Sequence, residues 1–325
     1  MFASKSISKI SFKQVIGPVI AVLIIVCAFL LPIYRETIVL TGAAILMYVI
    51  LSVSWTVFSG PTGYVSLATA AFYGVGIYAS ALYSDVFPLP VLMLLGGAAA
   101  FVIAIIMGAI TLRLRGVYFT IFTFGLVELL KNLILWTEIR FTGRRGRFVT
   151  STPVNTVYYY LLALTVILIV VAFIIKRSKF GKALTCIGES EDAAAHIGVN
   201  TTLVKLMAFA ISSFFMGAVG AAMASRNAYV DPGIAFDPLK SFLPVLMVIF
   251  GGTRTLAGPV IGAAVFAYLQ ELLITDQILS SWYRISIGAI MIIAILFLPE
   301  GLLGLGHKIY DKIMDKIRRA SHADS

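Results

Sequence analysis

The sequence predicts an all-α polytopic membrane protein, with about eight full transmembrane helices plus a re-entrant, interrupted helix pair. Three observations carry that expectation. Of the 325 residues, 60% are hydrophobic and only 12% are charged, against roughly 45–50% and about 25% in soluble domains, which excludes a water-soluble enzyme. The apolar residues come in unbroken runs such as Val19 to Leu31 and Leu161 to Ile175, not in the alternating strands of about ten residues that a β-barrel requires. The charged residues fall mostly between those runs.

Taken in order, the candidate spans are 15–33, 38–58, 64–84, 89–112, 117–136, 157–175, 205–224 and 284–299. Lys5, Lys9 and Lys13 before the first run imitate a signal peptide, but no small-residue cleavage site follows, so the first span is expected to be an uncleaved anchor. Between the last two spans, Phe242 to Phe250 is too short to cross, Gly251-Gly252-Thr253-Arg254 breaks it, and Pro259 to Leu273 climbs again. At ~1.5 Å per residue the first arm reaches only about half of the hydrocarbon core, which makes the two arms a re-entrant pair.

Orientation follows from charge. The 25 basic residues exceed the 15 acidic ones, for a net charge of +10, and basic residues collect in cytoplasmic loops. An even number of crossings puts both termini in the cytoplasm, including the basic tail 306–325, together with the loop 176–205 that holds Lys176, Arg177, Lys179, Lys182 and Lys205. The connection 137–156 disagrees, since Arg140, Arg144, Arg145 and Arg147 fall outside by parity. The whole chain, 1–325, is expected to be one transmembrane domain. Cys27 and Cys186 lie at different depths and do not suit a disulfide.

No sequence motif announces catalysis. Gly181-Lys182 lacks the upstream glycine of a phosphate-binding loop, His196, His307 and His322 are scattered, and neither a zinc-type H-E-x-x-H nor a G-x-S-x-G elbow occurs. No metal, cofactor or nucleic-acid partner is therefore expected. Asn200-Thr201-Thr202 fits the glycosylation pattern but falls on the cytoplasmic side.

Function is written instead in the interruptions. Gly60-Pro61-Thr62-Gly63 and Gly251 to Gly258 break two helices, and broken helices offer unpaired backbone groups to a solute at mid-membrane, although a packing kink explains one such break equally well. Tyr64, Ser66, Thr69 and Thr253 are the polar side chains expected along such a path. Glu128 and Lys131, three residues apart within a span, either join the path or pair with each other to lock helices. In the loop 178–200, Glu191, Ala193, Ala194 and Gly198, with Gly181 upstream, have the composition of a docking helix: acidic at its start, small along its face, glycine at its end. A solvated helix without a partner has the same composition. Ala194 and Gly198 are the residues expected in a partner's cleft.

That loop resembles the EAA-type coupling segment of ABC-importer permeases. Four further stretches resemble the permeases of branched-chain amino-acid (leucine/isoleucine/valine) importers, in that family's order: residues 60–79 (GPTGYVSLATAAFYGVGIYA), 113–131 (RLRGVYFTIFTFGLVELLK), 251–263 (GGTRTLAGPVIGA) and 298–305 (LPEGLLGL). The second and fourth look like the M-type member of the two paired permeases. Two departures fall in the first broken helix, where Tyr64 replaces a usual glutamine and Ala68-Thr69 a Gly-His pair. The resemblance implies a multi-pass protein of a prokaryotic cell membrane that forms half of a translocation pore with a second permease subunit. It further implies two cytoplasmic ATP-binding subunits that hydrolyse the ATP, and an extracytoplasmic solute-binding protein. Permeases for urea, sugars or nucleosides share that plan. A secondary transporter would need intramembrane ion-coupling groups, and only Glu128 is available in the sequence.

Overall fold

The computed structural model describes residues 36–253 and 255–275, with a few isolated positions beyond. The expected spans 15–33 and 284–299 lie outside the described residues, as do Cys27 and the basic tail. The described chain forms α1 (Glu36–Thr62), α2 (Thr69–Tyr83), α3 (Leu89–Thr111), α4 (Val117–Thr142), β1 (Arg147–Phe148), α5 (Val154–Arg177) and α6 (Lys179–Glu189). There follow α7 (Glu191–His196), α8 (Thr201–Ala224), β2 (Tyr229–Val230), α9 (Pro232–Ala235), α10 (Leu239–Gly251) and α11 (Ala257–Thr275).

Six stretches among the described residues are long and apolar enough to cross a bilayer, namely Ile38–Thr62, Leu89–Thr111, Val117–Thr142, Val154–Arg177, Thr201–Ala224 and Pro232–Gly251. This differs from the expected eight full crossings partly because of the span placed at 64–84. It is a non-helical segment leading into α2, whose 15 residues reach about 22 Å at ~1.5 Å per residue, short of a ~30 Å core. The two arms expected of the re-entrant pair are helices, α10 and α11, which pack on each other, and the first of them lies within Pro232–Gly251, a stretch long enough to cross. The first arm begins earlier than expected, because Pro232–Gly251 is broken at 236–238 into α9 and α10.

The bundle is organised around α8, the most buried of the spans, which packs on α2, α3 and α1. Small residues make that possible. A Cβ on Gly76 would strike the carbonyl of Gly217, and one on Gly220 the carbonyl of Tyr73, so α2 and α8 touch backbone to backbone. Gly217 meets Gly96 and Ala100 of α3 in the same way. In a bilayer, where lipid tails are as apolar as leucine, close packing of this kind replaces the hydrophobic drive between helices. A cluster of Phe58, Phe72, Phe119 and Phe209 fills the level below, with ring centroids 5.1 to 6.3 Å apart. α10 and α11 pack as closely, since a Cβ on Gly251 or Gly262 would meet the backbone of the facing arm.

α4 stands at the margin, the least buried of the spans. Its far end carries the loop whose arginines run against the charge rule. Arg147 Nε lies 3.5 Å from the carboxylate of Glu138, which is only 4% exposed and also accepts from Gly146 N at 3.0 Å and the Tyr78 hydroxyl at 3.3 Å. One of the four arginines is thus structural, holding the β1–β2 pair against α4.

Candidate functional site

The first break is built by the chain around it. Pro61 enters the last turn of α1, and Gly63 ends the helix at φ 71, its N–H donating to Ser59 O at 3.1 Å. The segment from Gly63 to Ala68 is then non-helical, and backbone within a membrane bundle must find protein partners. Trp55 Nε1 donates to Ser66 O at 2.8 Å, and Thr120 Oγ1 donates to Val65 O at 2.9 Å. Leu67 N donates to Thr123 Oγ1 at 3.1 Å, and Ala68 N to Ser66 Oγ at 3.3 Å. At the start of α2, Ala70 N donates to Ser241 Oγ of α10 at 3.1 Å. The break is therefore a clamped element, held by α1, α4 and α10.

The Tyr64 end of the break is wired to the loop 178–200. Ser178 caps α6, its hydroxyl accepting from Gly181 N, and Ser190 caps α7, accepting from Ala193 N. These caps fix Glu191 in the first turn of α7. Lys205, 3% exposed on α8, lies 2.5 Å from Glu191 Oε1, and the Tyr64 hydroxyl donates to Glu191 Oε2 at 2.5 Å. Lys205 Nζ also donates to Leu112 O and to the Tyr64 hydroxyl, both at 3.3 Å, and sits 4.7 Å from the Tyr64 ring centre. Arg115 approaches Glu191 at 3.8 Å and bonds Asp192 at 3.0 Å. Burial pushes the Glu191 carboxyl up, but the hydrogen bonds from Lys205 and Tyr64, with the charges of Lys205 and Arg115, outweigh it and hold the group below its ordinary value of 4.5. One carboxylate thereby joins α7, α8, the α3–α4 loop and the broken helix.

α6 adds a second contact to the break. A Cβ on Gly188 would strike the carbonyl of Pro61, so the helix lies directly on the end of α1. Beside it a cavity of about 240 Å³ is lined by Gly60, Pro61, Lys176, Gly181, Thr185 and Thr253, among others. Both interruptions and α6 meet there.

The structure sorts the expected site residues. Tyr64 turns to Glu191, Ser66 bonds the backbone of its own segment, and Thr69 is buried with no partner for its hydroxyl among the described residues. Thr253 is exposed at the cavity. Glu128 and Lys131 pair at 2.8 Å on the outward face of α4, and among the described residues they tie α4 to no second helix. Gly181 packs against the carbonyl of Ile175. Ala194 corrects an expectation: it is 1% exposed, seated inside this chain rather than offered to a partner's cleft. The outward side of α7 carries Ala193, Ala195 and His196, leading to Ile197 and to Gly198 at φ 87. Lys205, Arg115 and Leu112 were missed by sequence reasoning. The available signal was Lys205 itself, a charge at the opening of an apolar span.

A helical membrane bundle with a clamped helix break, hydrogen-bonded through Tyr64 to a capped loop helix, has the build of a membrane transport protein. The chain matches the family described as "branched-chain amino acid transport system / permease component" over residues 37–295, and it belongs to that family. It is 25% identical to the high-affinity branched-chain amino acid transport system permease protein LivM of Escherichia coli (strain K12), over 87% of this chain and 74% of that protein. It is 26% identical to the LivM protein of Salmonella typhimurium, over 79% of this chain and 68% of that one. The xylose transport system permease protein XylH of Escherichia coli (strain K12) is 28% identical, but over only 41% of this chain and 35% of its own length. No solved structure matches.

Proposed function

We propose that the chain is the M-type permease subunit of an ABC importer for branched-chain amino acids, and that Glu191 carries the motion of the ATP-binding subunits to the broken helix. The observation behind this reading is the 2.5 Å bond from Tyr64 to Glu191, because it ties the interruption of the span to the loop that resembles a coupling segment. ATP hydrolysis belongs to two cytoplasmic partner subunits, and an extracytoplasmic solute-binding protein delivers the solute. Both termini and the 176–205 loop are cytoplasmic. On α7 the docking surface is the side of Ala193, Ala195 and Ile197, since Ala194 is taken up internally. When that surface moves, the break moves with it, and alternating access follows from two pore walls swinging past each other.

The second permease covers α4. An ion pair with side chains 27% and 42% exposed at mid-span is costly against lipid, and intramembrane charges face a bundle interior or a watery cavity. Glu128 and Lys131 therefore lie on the pore side, where the two permeases meet, with Thr253 lining the cytoplasmic vestibule and Thr69 the buried end of the break.

Uptake decides between this and a gradient-driven transporter. Proteoliposomes holding the chain with its second permease, ATP-binding subunits and binding protein are expected to accumulate labelled L-leucine only with ATP, and a proton ionophore should leave the rate unchanged. Uptake that runs without ATP and collapses with the ionophore would overturn the proposal.

A further inference from the structure

At the opposite end of the break from Glu191, donors collect without acceptors. Lys240, in the first turn of α10, is half-buried and places Nζ 3.1 Å from the Tyr48 hydroxyl, 4.7 Å from the Tyr48 ring centre and 5.8 Å from that of Tyr73. Gln270 Nε2 of α11 donates to the same Tyr48 hydroxyl at 3.2 Å. Tyr48 lies near the middle of α1, about 18 and 21 Å from its two ends at ~1.5 Å per residue, which puts the cation at mid-span. Among the described residues no carboxylate lies within ion-pair distance of Lys240, and Asp237, the nearest in sequence, accepts from Leu239 N at 3.1 Å.

The hydrogen-bond inventory is unbalanced. An ammonium has three donors and no acceptor, and among the described residues Lys240 engages only the Tyr48 oxygen, with Met47 Sδ at 4.0 Å. The Tyr48 oxygen receives two donations while no acceptor for its own proton appears among the described residues. Among the described residues the Tyr73 hydroxyl meets nothing better than Met47 Sδ, at 3.4 Å. Two helix starts converge here as well, because Ser241 bonds the N-terminal Ala70 of α2 next to Lys240, and helix N-termini carry positive partial charge. Thr69 adds a buried hydroxyl, without a partner among the described residues, one residue away from that contact.

From this surplus of donors we infer that Lys240, Tyr48 and Gln270 form an intramembrane site for the carboxylate of the passing solute, at the junction of α1, α2, α10 and α11. The inference deepens the importer reading and rests on it for the solute class, a small carboxylate-bearing amino acid. A carboxylate accepts from the ammonium and from the Tyr48 proton together, and it neutralises a charge that the bilayer otherwise penalises. The apolar surroundings of Met47 and the two tyrosine rings take the aliphatic part of such a solute.

Two measurements on the same variants test it. In the assembled importer, Lys240→Met is expected to lower L-leucine uptake about tenfold or more, while Lys240→Arg stays within about threefold, since hydrogen bonds to charged groups are worth about 1.5–3 kcal/mol. Tyr48→Phe should raise the leucine concentration needed for half-maximal uptake. In the purified full chain in nanodiscs, 4-methylpentanoate should raise the thermal unfolding midpoint and 3-methylbutylamine should not, and Lys240→Met should abolish the difference. Wild-type transport of leucine with Lys240→Met and Tyr48→Phe equally active would overturn the site. If Lys240→Met does not fold, Tyr48→Phe and the two-probe comparison on wild type still decide. A wild-type importer that ignores leucine while 4-methylpentanoate still stabilises the chain would overturn the solute reading and leave the site standing.

Discussion

Lys205→Met is expected to abolish leucine uptake while ATP hydrolysis continues, and to lower the stability of the chain by about 3 kcal/mol or more. Removing one partner of a buried ion pair strands the other charge, a loss of typically 3–5 kcal/mol. Here the stranded group is Glu191, with a side chain 15% exposed and only Tyr64 and the more distant Arg115 left to face it. Adding Glu191→Gln should return much of the stability, because a neutral pair need not be charged, but should not return uptake, because the tie to Tyr64 is weakened. The acid response has a definite sign. The Glu191 carboxyl titrates below its ordinary 4.5 in the folded chain, so its contribution is fully present above that value and is lost as pH falls through the lower, folded pKa. The stability gap between wild type and Glu191→Gln, followed by thermal unfolding in detergent, should therefore be flat from neutral pH down to about 5 and close only in stronger acid. A gap that closes between neutral pH and 5 would contradict the assignment.

Gly217→Val is expected to remove folded protein altogether. The new side chain would enter the space held by the Gly96 carbonyl and Ala100, and overpacking where backbone rather than a flexible side chain must yield costs about 3 kcal/mol or more. The yield of monodisperse protein on size exclusion reads this directly. Gly125→Ala is the matching control, because a Cβ there meets nothing within 4 Å, and alanine in a helix is favoured over glycine by roughly 0.5–1 kcal/mol. A normal yield from Gly217→Val would mean that α3 and α8 do not cross at these residues.

The contrast between those sites shows what a sequence discloses. α3 and α5 were legible because an unbroken apolar run has one solution in lipid, a helix satisfying its own backbone. The third span was not, because its Gly60 to Gly63 signal marks the interruption without saying where the helix resumes. Trp55, Thr120, Thr123 and Ser241 set that point, and two of the three elements that supply them are distant in sequence. The loop was legible as a short helix from its acidic start and small residues, yet the period of a six-residue helix is too short to say which alanine faces inward. Lys205 reads in sequence as one more basic residue of a cytoplasmic loop. Its partners, 14 and 141 residues away, give it a different role. Lys240 was hidden likewise, because its cage of Tyr48, Tyr73 and Gln270 comes from three separate helices.

The central claim is that the coupling loop and the broken helix move as one body. Spin labels at Val65→Cys, in the break, and Glu189→Cys, at the end of α6, report it in the reconstituted importer once Cys27 and Cys186 are replaced by serine. Pulsed electron paramagnetic resonance should give the same Val65–Glu189 distance with and without ATP in an otherwise native chain, and a broadened, ATP-dependent distance in Lys205→Met. A native distance that changes when ATP binds would contradict the claim.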